Sequence, residues 1–187
     1  MLRYFYSIDK SFASIIFVII FFSCNDSSKF NDLKTMKTVD YVDLEKYMGD
    51  WYVIANIPTF IEKNATNAIE SYSLNNDGTI KTTFTFFKNT PSGEKKVYHP
   101  KGFVHNKETN AEWRMQFLWP FKLPFLIIEL DKGYSYTVIG YPSRKYVWIM
   151  SRKPKMSEER YNKILEKLAD IGYDIKMIQK VPQNWDI

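Results

Sequence analysis

Between residues 51 and 151, apolar and polar side chains alternate along the chain, and clusters of turn residues interrupt the alternation. A period of two is typical of β-strands that bury one face. Eight strands are predicted in this way, at residues 51–57, 68–74, 79–87, 97–105, 111–119, 125–130, 134–141 and 145–151. Because no helical pattern separates them, neighbouring strands are expected to pair antiparallel. The prediction is an all-β fold, an eight-stranded antiparallel up-and-down barrel without exposed sheet edges.

The connections between the predicted strands alternate in length. The second, fourth and sixth are the tight polar turns NNDG, NKETN and DKG, whereas PTFIEKNATN, KNTPSGEKK, PFKLP and PSRK are roomier. Successive connections lie at opposite ends of such a barrel, so one end is predicted to be closed and the other open. Phe60, Ile61, Phe121 and Leu123 fall at the open end, where they either line an entrance or fold back onto the barrel.

One helix is predicted after the last strand. Ser157 is a candidate N-cap, and the acidic Glu158 and Glu159 follow in the first turn, where they suit the helix dipole. The apolar residues that recur at helical spacing are Tyr161, Ile164, Leu165, Leu168 and Ile171. Gly172 is expected to end the helix. We expect its apolar face to pack on the outside of the barrel and residues 175–180 to form a short final strand.

The beginning of the chain is typical of an export signal. Arg3 and Lys10 precede the apolar run ASIIFVIIFF at residues 13–22. This run is shorter than the ~20 residues that span a bilayer, and it fits the apolar region of a secretory signal. The following FFSC resembles a bacterial lipobox, in which the cysteine is acylated and becomes the mature N-terminus. An ordinary cleaved signal or an uncleaved anchor is the alternative.

The lipobox interpretation divides the chain into three parts. Residues 1–23 are predicted to be a lipoprotein signal peptide, residues 24–39 a polar tether, and residues 40–187 the folded domain. Cys24 is the predicted lipidation site, so the protein is expected at the bacterial cell envelope, held in the outer membrane by its lipid anchor.

Composition and charge limit the kinds of fold and function that the chain can have. The chain has 187 residues, which suits one domain, and its aromatic content of 17% favours β structure. Cys24 is the only cysteine, so an intrachain disulfide is excluded. The net charge is +5, but the basic residues are scattered rather than grouped in blocks. Binding to nucleic acid is therefore not expected.

The alternation also predicts which side chains line the barrel interior, because one face of each strand is apolar and the other is polar. The predicted ligand-binding residues are Phe84, Phe86, Trp113, Met115, Phe117, Tyr136, Val138, Trp148 and Met150. Such a cavity suits an acyl chain, since each buried methylene contributes ~0.8 kcal/mol. The basic residues expected on the open-end loops, which could meet an anionic head group, are Lys63, Lys88, Lys122, Arg144 and Lys145.

Two segments resemble motifs of the lipocalin family. DLEKYMGDWYVIA resembles the first motif, a short helical turn leading to Gly-x-Trp, and YTVIGYPSRKYVWIMSRKP resembles the later motifs ending in Ser-Arg. Together with the lipobox and the trailing helix, residues 40–183 resemble a bacterial outer-membrane lipocalin close to the apolipoprotein D branch. The family's second motif, Thr-Asp-Tyr, is matched only in part, because ELDKGY stands in its place and Asp131, with Tyr134 as a further candidate, corresponds to it.

The resemblance implies roles for three residues at the closed end. Gly49 lets the chain turn sharply, because a side chain there would crowd the neighbouring backbone. Trp51 plugs the base, and Arg152 stacks its guanidinium on the indole. These residues are expected to be structural rather than in contact with ligand.

The resemblance further implies a carrier or store for fatty acid or lysophospholipid, with no cofactor, no metal and no chemical step. The alternatives are an enzyme or a haem-binding protein that uses the cavity, with His99 and His105 as the candidate bases or ligands. The sequence leaves open whether the domain forms a homodimer.

Overall fold

The computed structural model describes residues 36–185 of the chain. The predicted signal peptide, Cys24 and the tether up to residue 35 lie outside the described residues. Within the described range, no helix is both long enough and apolar enough to cross a bilayer.

Ten strands form a single antiparallel sheet that closes on itself. They are β1 (Gly49–Ile57), β2 (Ala65–Leu74), β3 (Thr79–Lys88), β4 (Lys95–Tyr98), β5 (Lys101–Val104), β6 (Glu112–Leu118), β7 (Phe121–Leu130), β8 (Tyr136–Gly140), β9 (Val147–Ser151) and β10 (Gln179–Lys180). β1 pairs with β2 and β2 with β3, each strand from β5 to β8 pairs with the next one in the chain, and β1 pairs with β9 to close the barrel. β4 and β5 both pair with β3 and together occupy one position, while β10 adds to β1. The predicted eight-stranded barrel is confirmed.

The fourth predicted strand is interrupted. β4 ends at Tyr98 and β5 begins at Lys101, with His99 and Pro100 between them. Pro100 has no backbone N–H to donate to a ladder, which explains why pairing to β3 stops and restarts there.

The hairpin of β6 and β7 is longer than predicted. Leu118 pairs with Phe121, so only Trp119 and Pro120 form the turn. The prediction of a roomy loop at residues 120–124 is therefore wrong, because this stretch is the first part of β7. The hairpin tip carries Leu118, Trp119 and Phe121 with exposed fractions of 70%, 81% and 67%.

The closed end is covered by a short helix and by the chain that precedes it. Helix α1 (Leu44–Tyr47) begins after Asp43, whose carboxylate accepts hydrogen bonds from the backbone N–H groups of Glu45 and Lys46. Val42 N donates to Thr109 O at 2.8 Å, and Val39 N donates to Ile127 O at 3.0 Å. The last residues assigned to the tether therefore contact the barrel wall.

Helix α2 (Glu158–Asp170) packs on the outer face of the barrel as expected. The Ser157 side chain accepts a hydrogen bond from Arg160 N at 3.3 Å, which confirms the predicted N-cap. The buried side chains of this helix are Tyr161, Ile164 and Leu168, and they join a core with Val138, Val147 and Ile149 of the barrel wall. Gly172 follows the helix with a φ of +91°, and a 3₁₀ helix (Ile175–Met177) leads to β10.

The barrel wall therefore separates two apolar cores. One fills the interior from the base upwards and includes Trp51, Tyr72, Phe84 and Trp113. The other lies between the outer face of β8 and β9 and helix α2. Because both faces of β8 and β9 are buried, their alternation alone does not reveal which side faces inward.

Candidate functional site

The closed end of the barrel is sealed by Trp51 and Arg152. The Arg152 Cζ atom lies 3.7 Å from the centroid of the Trp51 ring. Its guanidinium also donates to four backbone carbonyls, those of Lys46, Tyr47, Met48 and Asp50, at distances of 2.8–3.0 Å. A planar guanidinium can stack on an indole and donate in several directions at once. Arg152 thus joins the end of α1, the start of β1 and the end of β9.

Gly49 is required at this seal for two reasons. Its φ is +94°, a conformation that L side chains rarely adopt. A Cβ atom at this position would lie 3.3 Å from Arg152 Nη1. The neighbour that a side chain would crowd is therefore the guanidinium, not the adjacent backbone.

A layer of aromatic rings lies above the seal. Tyr47 contacts Trp51 at a centroid distance of 5.0 Å and Trp113 at 5.3 Å, and Trp113 stacks on Phe125 at 5.4 Å. The indole of Trp113 donates to Asn110 O at 2.8 Å. Trp113, predicted to bind ligand, is thus part of the packed floor.

Above this floor the barrel encloses a cavity of about 330 Å³ that opens between the loops. Its lining is Thr59, Phe60, Ile61, Glu62, Glu70, Tyr72, Phe84, Tyr98, Met115, Phe117, Leu123, Pro124, Phe125, Tyr141, Tyr146, Trp148 and Met150. The volume falls in the range of small-molecule sites, which is roughly 300–1,000 Å³. The lining is mostly aromatic or aliphatic, with a few polar groups.

Five of the predicted ligand-binding residues come together in this cavity. They are Phe84, Met115, Phe117, Trp148 and Met150. Phe86 points to the same side but is only 1% exposed, and it packs against Phe84 and Tyr98 at centroid distances of 5.1 and 6.1 Å. It supports the cavity wall rather than forming its surface.

Tyr136 and Val138 do not reach the cavity. The Tyr136 hydroxyl donates to Glu129 Oε1 at 2.7 Å, and Arg160 of α2 lies over its ring. Val138 belongs to the outer core beneath α2. The inward residues of β8 are Thr137 and Ile139, so the assignment of the β8 faces was reversed. The reason is that α2 covers the outer face and makes it apolar as well.

Two acidic residues in the cavity were not foreseen. Glu62 is 4% exposed although it lies on a loop. Its carboxylate accepts hydrogen bonds from Trp148 Nε1 at 2.6 Å, Asn56 Nδ2 at 3.4 Å, and Thr59 N and Oγ1 at 2.9 and 2.6 Å. The signal in the sequence was the acidic residue within the apolar loop stretch PTFIE.

Glu70 lies on β2 and is the more unusual of the two. It is 9% exposed, and its Oε2 atom is buried without a hydrogen-bond partner among the described residues. Burial, and secondarily the neighbouring charge of Glu62, raise the pKa of Glu70 well above its ordinary value. An unsatisfied buried polar group costs about 1–3 kcal/mol. Period two on β2 placed Glu70 beside Tyr72 on one face, but it could not say that this face is the inner one.

The mouth of the cavity combines apolar and basic residues. Phe60 is 92% exposed, and Phe117 and Leu123 are 47% and 46% exposed. These side chains remain in contact with solvent at the entrance instead of folding back.

The five basic residues predicted for the mouth divide into two groups. Lys63, Lys88 and Lys145 are exposed. Lys122 Nζ lies 3.6 Å from the centroid of the Phe103 ring, on the outside of the wall. Arg144 donates from Nε to Ile171 O at 3.2 Å, next to the end of α2.

The two histidines lie away from the cavity lining. His99 is exposed, and its Nδ1 atom is 3.3 Å from Thr83 Oγ1, while His105 is also exposed. Within residues 36–185 no group of three or more His, Cys, Asp or Glu side chains is arranged to hold a metal.

Comparisons with known proteins agree with this geometry. A family model described as "Lipocalin-like domain" matches residues 42–183. Temperature-induced lipocalin-1 from Arabidopsis thaliana is 35% identical over 161 residues, which is 81% of this chain and 84% of the plant protein. Outer membrane lipoprotein Blc from Escherichia coli K12 is 28% identical over 145 residues, 78% of this chain and 81% of Blc. The structure of insecticyanin from the tobacco hornworm superposes with a TM-score of 0.64 at 18% identity, over 79% of this chain and 84% of that one, and so shows the fold.

Proposed function

The chain belongs to the lipocalin-like domain family, and from this premise we propose that it is a carrier or store of lipid, with fatty acid or lysophospholipid as its ligand. The coarser conclusion, a role in binding small hydrophobic ligands, follows from the family. The observation that carries the proposal is the mostly apolar cavity of about 330 Å³ above the aromatic floor.

The lining supports an acyl chain as the buried part of the ligand. Phe84, Met115 and Met150 offer apolar surface along the wall, and methionine side chains adapt to irregular shapes. Each buried methylene contributes ~0.8 kcal/mol, so a long chain binds tightly without any charged contact. Binding is reversible burial, with no bond formed or broken.

Charge supports one orientation of that ligand. Lys63, Lys88 and Lys145 are exposed near the entrance, whereas Glu62 and Glu70 lie inside. The residues that line the cavity include no lysine or arginine. An anionic head group is therefore stabilised at the mouth and repelled from the interior.

The proposed place of action is the bacterial envelope, with the acyl chains on Cys24 inserted in the outer membrane. Two observations support it: the lipobox-like FFSC and the similarity to the E. coli outer membrane lipoprotein. The exposed apolar side chains of the β6–β7 hairpin would meet lipid close to the mouth.

A fluorescent fatty acid tests the proposal directly. The full chain in nanodiscs should show saturable binding, and Met150→Trp should weaken it at least tenfold because the larger ring fills the cavity. Val97→Trp is the matched control, since Val97 is 45% exposed on the outer wall and should leave affinity unchanged. Thermal melting of both variants reports whether each remains folded. Equal affinity of the three proteins would refute binding in the cavity.

A further inference from the structure

Three buried polar atoms that have no hydrogen-bond partner among residues 36–185 lie on the inner face of two adjacent strands. They are Glu70 Oε2 and Tyr72 Oη on β2 and Thr82 Oγ1 on β3. Tyr72 is directly opposite Thr82 in the register, and Glu70 is one inward position before Tyr72 on β2, on the side of the open end. Their residues are 9%, 3% and 1% exposed. Buried polar atoms are nearly always hydrogen-bonded, so this cluster requires a partner from outside the protein.

The neighbouring protein groups do not supply that partner. The carboxylate of Glu62 is already surrounded by donors from Asn56, Thr59 and Trp148. The rest of the lining near Glu70 is apolar, and Phe84 is its cross-strand neighbour. Glu70 and Tyr72 are both among the residues that line the cavity, so a ligand bound there lies beside these two side chains.

The depth of the cluster indicates which part of a ligand would meet it. β2 begins at Ala65 near the open end, and Glu70 is five residues further along the strand. At about 3.3 Å per residue, its backbone lies roughly 16 Å along the strand from Ala65, opposite Trp51 of the seal in the register of β1 and β2. A head group at the mouth is too far away, so the contact falls on the distal half of an acyl chain.

The chemistry of the cluster excludes two kinds of distal group. A plain methylene chain leaves all three oxygens unsatisfied. A second carboxylate would face Glu62 and Glu70, with no cation in the lining to offset the repulsion. A hydroxyl fits, because it donates to the carboxyl oxygen of Glu70 and accepts from the Tyr72 hydroxyl.

We propose that Glu70 and Tyr72 form a recognition site for a hydroxyl group on the distal half of a bound acyl chain, so that the cavity selects hydroxylated over plain chains. The inference deepens the proposed lipid-carrier function and rests on it. Thr82 extends the site on β3, behind Tyr72.

The test compares fatty acids of equal length that differ only in the hydroxyl. Sixteen-carbon acids are used: the plain acid, an isomer hydroxylated next to the carboxylate, and three isomers hydroxylated along the distal half. Affinities are measured with the full chain in phosphatidylcholine nanodiscs for the wild type, Glu70→Leu and Tyr72→Phe. Partition of each acid into the bilayer is the same for every protein, so it cancels in the ratio of variant to wild-type affinity. Glu166→Gln, on the exposed face of α2, is the control.

For at least one distal isomer, Glu70→Leu and Tyr72→Phe should each weaken binding about tenfold, as loss of a hydrogen bond predicts. The plain acid and the isomer hydroxylated beside the carboxylate should bind both variants at least as tightly as the wild type, because the variants remove polar atoms that these acids leave unsatisfied; such binding also shows that the variants are folded. The proposal would be overturned if the ratio of variant to wild-type affinity were the same for every acid, whether binding is unchanged or equally weakened. If no acid binds the wild type saturably, the lipid-carrier function itself fails.

Discussion

At the scale of single residues, Arg152 is the side chain on which most contacts of the closed end converge. It stacks on Trp51 and donates to carbonyls that α1 would otherwise leave unsatisfied at its end. The same side chain favours glycine at position 49, because a Cβ there would lie only 3.3 Å from its guanidinium. Sequence motifs alone indicated the stack, whereas the four carbonyl contacts became visible only in the structure.

Arg152→Ala should destabilise the protein by about 3 kcal/mol, since it removes a cation–π contact and charge-assisted hydrogen bonds. Arg152→Lys should recover only part of this, because an ammonium cannot stack and reach several carbonyls together. Chemical denaturation measures both. Lys153→Ala, at the exposed neighbouring position, should change the free energy of unfolding by less than about 0.5 kcal/mol. If Arg152→Ala lowered the free energy of unfolding by no more than the Lys153→Ala control does, the role assigned to Arg152 would be contradicted.

Glu70 predicts a dependence of stability on pH. Its pKa is raised on folding, so the folded state binds its proton more tightly than the unfolded state does. The stabilisation is complete below the ordinary pKa of 4.5 and is lost as pH rises towards the folded pKa. Glu70→Gln, which stays neutral, should therefore melt at a higher temperature than the wild type at pH 8, with the difference shrinking towards pH 4. If the difference in melting temperature between Glu70→Gln and the wild type were the same at every pH in this range, Glu70 would titrate normally.

At the scale of elements, the limits of sequence reasoning have a definite physical origin. The eight barrel positions, the tight polar turns, the Ser157 cap and the apolar face of α2 are found as the sequence predicts, whereas the fourth strand is interrupted at Pro100 and residues 121–124 belong to β7 instead of a loop. The faces of β8 were reversed because α2 buries the outer side of that strand. Glu70 was missed because alternation places it on the same face of β2 as Tyr72 without showing that this face points into the barrel.

The contact between α2 and the barrel wall predicts that substitutions on the buried face of the helix lower the free energy of unfolding more than those on its exposed face. Ile164 is 1% exposed between the helix and the barrel, so Ile164→Ala should cost about 2–4 kcal/mol in the free energy of unfolding. Lys163→Ala, one residue away on the solvent face, should have little effect, because its ion pair with Glu159 is exposed. Equal effects of the two changes would show that α2 is not docked.

At the scale of the whole molecule, the described domain is a container whose base is sealed and whose mouth carries exposed apolar and basic side chains. The seal of Trp51 and Arg152, the aromatic floor and the cavity follow one another along the barrel axis. This order leaves the mouth as the route for a ligand. The proposed anchor at Cys24 would hold that route near lipid.

The anchor predicts a change of location. Cys24→Ser removes the thiol that would be acylated, so the protein should move from the membrane fraction to the soluble fraction of the envelope. Fractionation and immunoblotting measure the distribution, with Ser23→Ala as the neighbouring control. Retention of Cys24→Ser in the membrane to the same extent would mean that another feature holds the protein there.

The most direct test is mass spectrometry of the lipid that remains with the purified full chain. The account predicts about one acyl lipid per wild-type protein and per Val97→Trp protein, and a loss of most of that lipid from Met150→Trp. Lipid retained equally by all three proteins, or absent from the wild type, would contradict a lipid-binding cavity.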